Sequence, residues 1–353
     1  MGNWKRSLIT EFIRIGLLLA IAFLITGLII SFTGENPFTV FKILVTTAFG
    51  SRAGLAETLA AATPLIFTGL AIAVAFKAGL FNVGVEGSLY LGAFGAAWVG
   101  FTWLHLPGWM LVFLAILVAG IAGGLWALGP GIVKVRYNVD EIVTTLMLNY
   151  VAIYLTTYLV TYIYGVPGLA NAMSFPIASA ARLPRLAPPS QLNLGFVFAL
   201  IASFTLWFVF RRTAFGYEVR MLGSNPLCVK WSGMPDKKIA VKAMFLSGFL
   251  GGIAGAVQIL GIHYRFIANF SPGYGYTGIA VALLARNNPL GVLFSALLLG
   301  AIYNGESLIE LMTAIPMEVP RIFEGIIIAL TSAELVVQLW VWRRKAKTQE
   351  SKR

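Results

Sequence analysis

The 353 residues are 58% apolar and 11% charged, with a net charge of +12 and a mean hydropathy of +0.83. Soluble domains carry about 25% charge and need polar surface around each core, so this composition excludes a secreted domain, a disordered chain and a cytosolic enzyme. At roughly 30 residues per span and loop the chain has room for about ten crossings, and an all-α polytopic membrane protein is the expected fold class.

The 26 basic against 14 acidic residues would point to nucleic acid in a soluble protein. In a membrane protein they mark cytoplasmic loops and termini, and no nucleic-acid partner is expected. A single cysteine, Cys228, excludes an internal disulfide. His105 and His263 stand far apart and outside any ligand spacing, so no metal site is expected.

In chain order, a basic start (Lys5, Arg6, Arg14) leads into an apolar run at 15–32. No small-residue cleavage site follows it, which reads as a retained first helix. Residues 36–50 are too short and polar to cross and read as an amphipathic segment at the outer face. Crossings are expected at 55–76 and 82–103, joined by Lys77 and a turn at Gly79, then at 109–132 and 141–163. Residues 164–193 hold Pro167, Pro176, Pro184, Pro188 and Pro189 and read as an ordered outer loop. A crossing at 194–210 precedes 211–242, the longest charged stretch, read as a cytoplasmic loop. Crossings at 243–262 and 321–341 follow, then a basic cytoplasmic tail at 342–353 containing RRKAK. The whole of 1–353 reads as a single transmembrane domain.

Residues 276–303 decide the topology. One span there would leave nine crossings and put the basic tail outside. Two short segments turning at Arg286-Asn287-Asn288-Pro289 give ten crossings with both termini inside. They also place Lys134, Arg136 and the 211–242 loop inside and Glu306, Glu310 and Glu318 outside, as the charge rule prefers. Short or broken spans survive where their loose backbone groups face protein or a watery cavity, and they mark transport paths. A Gly-rich span followed by a polar turn occurs at 66–87 and again at 250–275, a weak twofold echo of the kind inverted repeats produce.

Few polar residues fall near or within the spans. In FNVGVEG at 81–87 and its continuation, Asn82, Glu86, Tyr90 and Phe94 recur every four residues and share one helix face. An ionisable residue so close to a span needs a cavity or a partner. The face therefore either lines a path for a hydrophilic, ring-bearing solute, or is packing around a Glu86 that caps or pairs at the interface. Glu141, Thr145, Asn149 and Thr156 form a second polar stripe. Asn149 needs a hydrogen-bond partner, either another helix or a passing solute. Arg321 and Glu324 are spaced to pair with each other, and Glu57 and Glu334 sit toward span ends where snorkelling is cheap. The sequence has no HExxH, GxSxG or intramembrane His or Asp pair, and no GxxxxGK[ST] to cradle a nucleotide. No catalytic residue and no bound cofactor are expected, and any use of ATP requires a partner subunit.

The stretch GSNPLCVKWSGM at 223–234 offers such a partner a place. Asn225 and Pro226 start a short helix that Gly233 closes. Held between two spans, this helix is either a lever for a soluble motor or a basic loop against anionic membrane lipid.

FNVGVEG (81–87), YNVDEIVTTLMLNY (137–150), GSNPLCVKWSGM (223–234) and GYGYTGIAVALLARNNPLG (273–291) resemble, in order, blocks of bacterial ABC-transporter permeases. The branch is that of the nucleoside and simple-sugar importers, related to ribose and branched-chain amino-acid permeases. The resemblance covers about residues 50–341. It implies the importer-permease fold in the bacterial plasma membrane and a second permease subunit, usually a different chain. It also implies an ATPase subunit carrying ATP and Mg, and a substrate-binding lipoprotein outside. By resemblance Gly223, Ser224, Asn225, Pro226 and Gly233 belong to the ATPase coupling helix. Asn82, Glu86, Tyr90, Thr145, Asn149 and Tyr276 are the candidates for the substrate path. The chain departs from the family pattern at Cys228 and Val229, where two Ala are common, at Ser88, where Gln is common, and at Thr277, where Asp is common. Simple-sugar or amino-acid transport, and a stand-alone symporter using Glu86, are the alternatives to nucleoside uptake.

Overall fold

A computed structural model describes residues 2–169, 171–313, 322–323, 325–330 and 333, with side chains described from Gly16 onward except Leu19 and Ser307. The described residues form twelve α-helices: α1 Gly2–Phe32, α2 Pro37–Phe49, α3 Arg52–Lys77, α4 Val85–Thr102, α5 Gly108–Tyr137, α6 Glu141–Tyr158, α7 Leu194–Arg212, α8 Ala214–Ser224, α9 Pro226–Trp231, α10 Asp236–Gln258, α11 Tyr274–Leu284 and α12 Pro289–Met312. Turns of π-helix extend α6 through Leu159–Ile163 and α10 through Ile259–His263. Among the described residues, six helices are long and apolar enough to cross a membrane: α3, α5, extended α6, α7, extended α10 and α12. Glu318, Arg321, Glu324, Glu334 and the basic tail lie outside the described residues, as does most of the crossing expected at 321–341.

The chain divides into two compact units. The smaller joins residues 1–47 to 305–353. In it Ile30, Val40 and Ile309 form a buried cluster, and the Phe23 ring meets Phe41 edge-on with centroids 5.0 Å apart. The 36–50 segment is helix α2, 13 residues long.

The larger unit, residues 48–304, is built around α10, which packs on α5, α4 and α3, while α11 lies on α3. Helices in lipid gain little from hiding apolar surface, so close backbone approach supplies the packing. Glycines supply that approach: a Cβ on Gly92 would strike the backbone of Gly252, one on Gly123 that of Gly248, and one on Gly255 that of Leu89. α3 runs unbroken through Pro64, which is buried.

Two expectations change. Residues 211–242 are helical over most of their length. Thr213 caps α8, its Oγ1 accepting from the Gly216 N–H at 3.2 Å, and α10 begins as early as Asp236. Charge on a helix surface solvates as well as charge on a loop, so the cluster of Arg and Lys did not discriminate. The 276–303 region does break at Arg286–Asn288, where Arg286 and Asn287 take left-handed φ of 48° and 58°. Only its first half is short. α12 is 24 residues long, because Asn288 Oδ1 caps it at the Leu290 N–H (3.2 Å), Pro289 opens it and apolar residues continue past Gly300.

Candidate functional site

α4 and α11 both start inside the larger unit, and each leaves orphan N–H groups that hydrocarbon cannot satisfy. Polar side chains from four parts of the unit meet them. Asn82 Oδ1 accepts from the Gly84 N–H at 3.0 Å, and its Nδ2 donates to Ser247 Oγ on α10 at 2.9 Å. Asn149 of α6 reaches across. Its Oδ1 accepts from the Gly87 N–H at 2.8 Å, and its Nδ2 donates to the Val83 carbonyl at 2.9 Å and to the Tyr276 hydroxyl at 3.1 Å.

The start of α11 is held from α4. Glu86 Oε2 accepts from the Gly275 N–H at 2.5 Å, placing a carboxylate on a helix N-terminus where the dipole favours it. The Ser271 hydroxyl accepts from the Gly273 and Tyr274 N–H groups at 3.2 Å each. Gly275 is required here, since a Cβ would overlap the Glu86 backbone. The segment before α11 lies along the 86–90–94 face of α4. Phe266 meets Phe94 and Tyr90, Phe270 meets Tyr90 at 5.0 Å, and the Ser271 N–H donates to the Tyr90 hydroxyl at 3.3 Å. The two echoing turns, 82–87 and 271–275, thus come into direct contact.

The structure brings together Asn82, Glu86, Tyr90, Asn149 and Tyr276. Thr145 sits beside them, but its hydroxyl donates to the Glu141 carbonyl of its own helix at 2.6 Å, and its Cβ faces Gly84. Asn82, Glu86, Tyr90, Thr145 and Asn149 are all buried, with Asn149 at 0% exposure; Tyr276 is partly exposed. The Asn149 partner left open by the sequence is protein on every polar atom. Ser271 and Ser247 were not singled out by the sequence reading. The Ser-Pro-Gly start at 271–273 was the available signal for the first; for Ser247 there was none. Ser88 donates to the Gly123 carbonyl at 3.1 Å, and Thr277 lies 2.8 Å from the Tyr303 hydroxyl.

Further along the chain than the α3–α4 turn, α9 forms as its sequence requires. Asn225 Oδ1 accepts from the Cys228 N–H at 3.0 Å, Pro226 opens the helix, and Gly233 closes it at φ 72°. Ser224 Oγ donates to the Met221 carbonyl at 3.2 Å. Val229 is buried, whereas Leu227 and Trp231 stand 68% and 85% exposed. Gly223 abuts the α3–α4 turn: a Cβ on it would strike the Lys77 carbonyl, and one on Gly79 would sit 3.1 Å from Gly223 Cα. Three residues beyond Gly79, Asn82 begins the buried network. Lys134 and Glu141 pair at 2.8 Å where α5 passes to α6.

Residues 54–332 match the family model described as branched-chain amino acid transport system / permease component. The chain is 34% identical over 324 residues to the guanosine ABC transporter permease protein NupP of Bacillus subtilis, covering 91% of this chain and 93% of that one. It is 28% identical to the nucleoside ABC transporter permease protein NupB of Lactococcus lactis, covering 98% and 96%. It is 33% identical to the glucose ABC transporter permease protein TsgB13 of Haloferax volcanii, covering 83% and 80%. With its apolar helices packed through glycine and its two helices starting within the unit, this chain belongs to that family of ABC-transporter permeases, multi-pass membrane subunits that form a transport path.

Proposed function

We propose that the chain is one of two permease subunits of an ATP-driven importer that carries nucleosides into the cytoplasm. The observation that carries this reading is the near full-length similarity to permeases named for guanosine and for nucleosides. The chain crosses the membrane about ten times, counting α11 as a half-span, with both termini cytoplasmic. Its partners are an ATPase subunit holding ATP and Mg, a second permease and an external binding lipoprotein; the chain has no catalytic residue of its own.

Coupling runs through the backbone contact between Gly223 and Gly79. An ATPase gripping Leu227 and Trp231 on α9 moves the α3–α4 turn. That turn carries Asn82 and Glu86, and so shifts the start of α11 and Tyr276. The buried polar residues then act as hinges of the path, while Tyr276 faces it. The hinge reading draws on the observed bonds, which occupy Asn82, Glu86 and Asn149. A sugar substrate is the second reading, favoured by the similarity to a glucose permease.

The test is uptake into proteoliposomes holding the complete transporter, with ATP supplied to the ATPase side. Guanosine uptake that requires ATP is the expected result. Glucose uptake without guanosine uptake would establish the sugar reading, and uptake by this chain alone on an ion gradient would establish a symporter. Trp231→Ala should lower ATP-driven uptake at least fivefold without altering the melting temperature, since truncating an exposed aromatic anchor acts on docking, not folding.

A further inference from the structure

Of the six long apolar helices, α6 is the least covered, and its two faces differ in kind. Its buried side carries Glu141, Thr145, Asn149, Ala152 and Thr156, which include its small and amide residues. The opposite side is unpartnered among the described residues. It reads Ile142, Val143 and Met147 in the half near the Lys134–Glu141 pair, then Tyr150, Tyr154, Tyr158 and Tyr162, with Val151, Leu155 and Ile163 exposed beside them. These tyrosines are 50%, 71%, 54% and 75% exposed. Spaced four apart, they would drift round an α-helix by about 40° per step. The wider π-turn at Leu159–Ile163 opposes that drift, and the Tyr158 and Tyr162 rings remain 5.1 Å apart.

We propose that Tyr150, Tyr154, Tyr158 and Tyr162 form a stacking track for the planar ring of the transported solute. The track spans ~18 Å and starts at the level of Tyr276, whose hydroxyl is bonded by Asn149, the neighbour of Tyr150 in the chain. It rests on the reading of the chain as a nucleoside permease, and it assigns the part of the substrate that the path recognises.

Three observations carry it. Tyrosine belongs at membrane interfaces, and a hydroxyl facing hydrocarbon in mid-span lacks a partner, so a lipid-facing stripe would account for Tyr158 and Tyr162 near the end of the span but not for Tyr150 and Tyr154 within it. A helix–helix interface in lipid is built from small residues, and on α6 those lie on the other face. The run of tyrosines begins at Tyr150, the level at which Asn149 bonds Tyr276. Aromatic rings at successive helical turns hold a base by its face while leaving its edge free, a contact tolerant of sliding.

The test is uptake by the complete transporter reconstituted with ATP, carrying Tyr154→Leu, Tyr158→Leu or Tyr154→Phe, measured for guanosine at low concentration. The Leu variants should lower uptake at least fivefold with the second permease still co-purifying, and Tyr154→Phe, which keeps the ring, should stay within twofold. Unchanged uptake in both Leu variants would overturn the track. Loss of co-purification with the second permease would also overturn it, by making the stripe a protein interface. If the unsubstituted transporter takes up no nucleoside, the functional reading beneath the track fails instead, before any substitution is compared.

Discussion

α10 and α6 are both apolar enough to cross a membrane, yet 72% of the α10 span is buried against 22% of the α6 span. α10 carries Gly248, Gly251, Gly252 and Gly255 in its membrane half and is packed against α5, α4 and α3. α6 has no glycine, and only its polar stripe is covered. In this permease, hydropathy identifies a span, but small residues decide how deeply it is packed. Polar residues then decide which face of a loosely packed span is turned inward.

The contrast can be broken most severely on α10. Gly252→Val drives a branched side chain into the Ala119 and Gly120 backbone. It should cost ~3 kcal/mol or more, read as loss of folded protein in detergent. Glu86→Leu leaves the Gly275 N–H without its carboxylate, at ~1–3 kcal/mol for an unsatisfied buried group, whereas Glu86→Gln keeps an acceptor and should recover most of the melting temperature. Asn149→Leu strips partners from Gly87, Val83 and Tyr276. A loss of ~2 kcal/mol is expected, with only partial recovery in Asn149→Asp, which accepts but cannot donate. On the free face of α6, Met147→Ala should change stability by no more than ~0.5 kcal/mol. A large loss there would erase the distinction between the two faces.

Much of this arrangement was legible in the chain. The span expected at 55–76 is α3 at Arg52–Lys77, and the Asn225-Pro226 start and Gly233 stop of α9 stand where local capping chemistry puts them. The stripes 86–90–94 and 141–145–149–156 are real helix faces because periodicity is a local property, whereas Asn82, expected on the first of them, precedes α4 in the turn and bonds the Gly84 N–H there. What covers those faces was not legible. Glu86 meets Gly275 across 189 positions, and no spacing rule joins them. Ser271 escaped notice because its hydroxyl serves backbone groups that become orphans only once α11 has begun within the unit. The tyrosines at 150, 154, 158 and 162 were visible as letters, but their exposure depends on which side of α6 the rest of the chain occupies.

The division of α6 into a stitched face and a solute face is tested most directly by labelling. Cys228 is the one cysteine of this chain, so Cys228→Ser frees it of thiols, and labelling is read on this chain after the subunits are separated. Single cysteines at positions 154 and 152 in the complete transporter would then be exposed to a membrane-impermeant maleimide, with and without guanosine. The cysteine at 154 should react and be protected by guanosine, and the cysteine at 152, on the covered face, should do neither. A cysteine at 154 that never meets the aqueous reagent, or reacts equally with and without the nucleoside, would contradict the account.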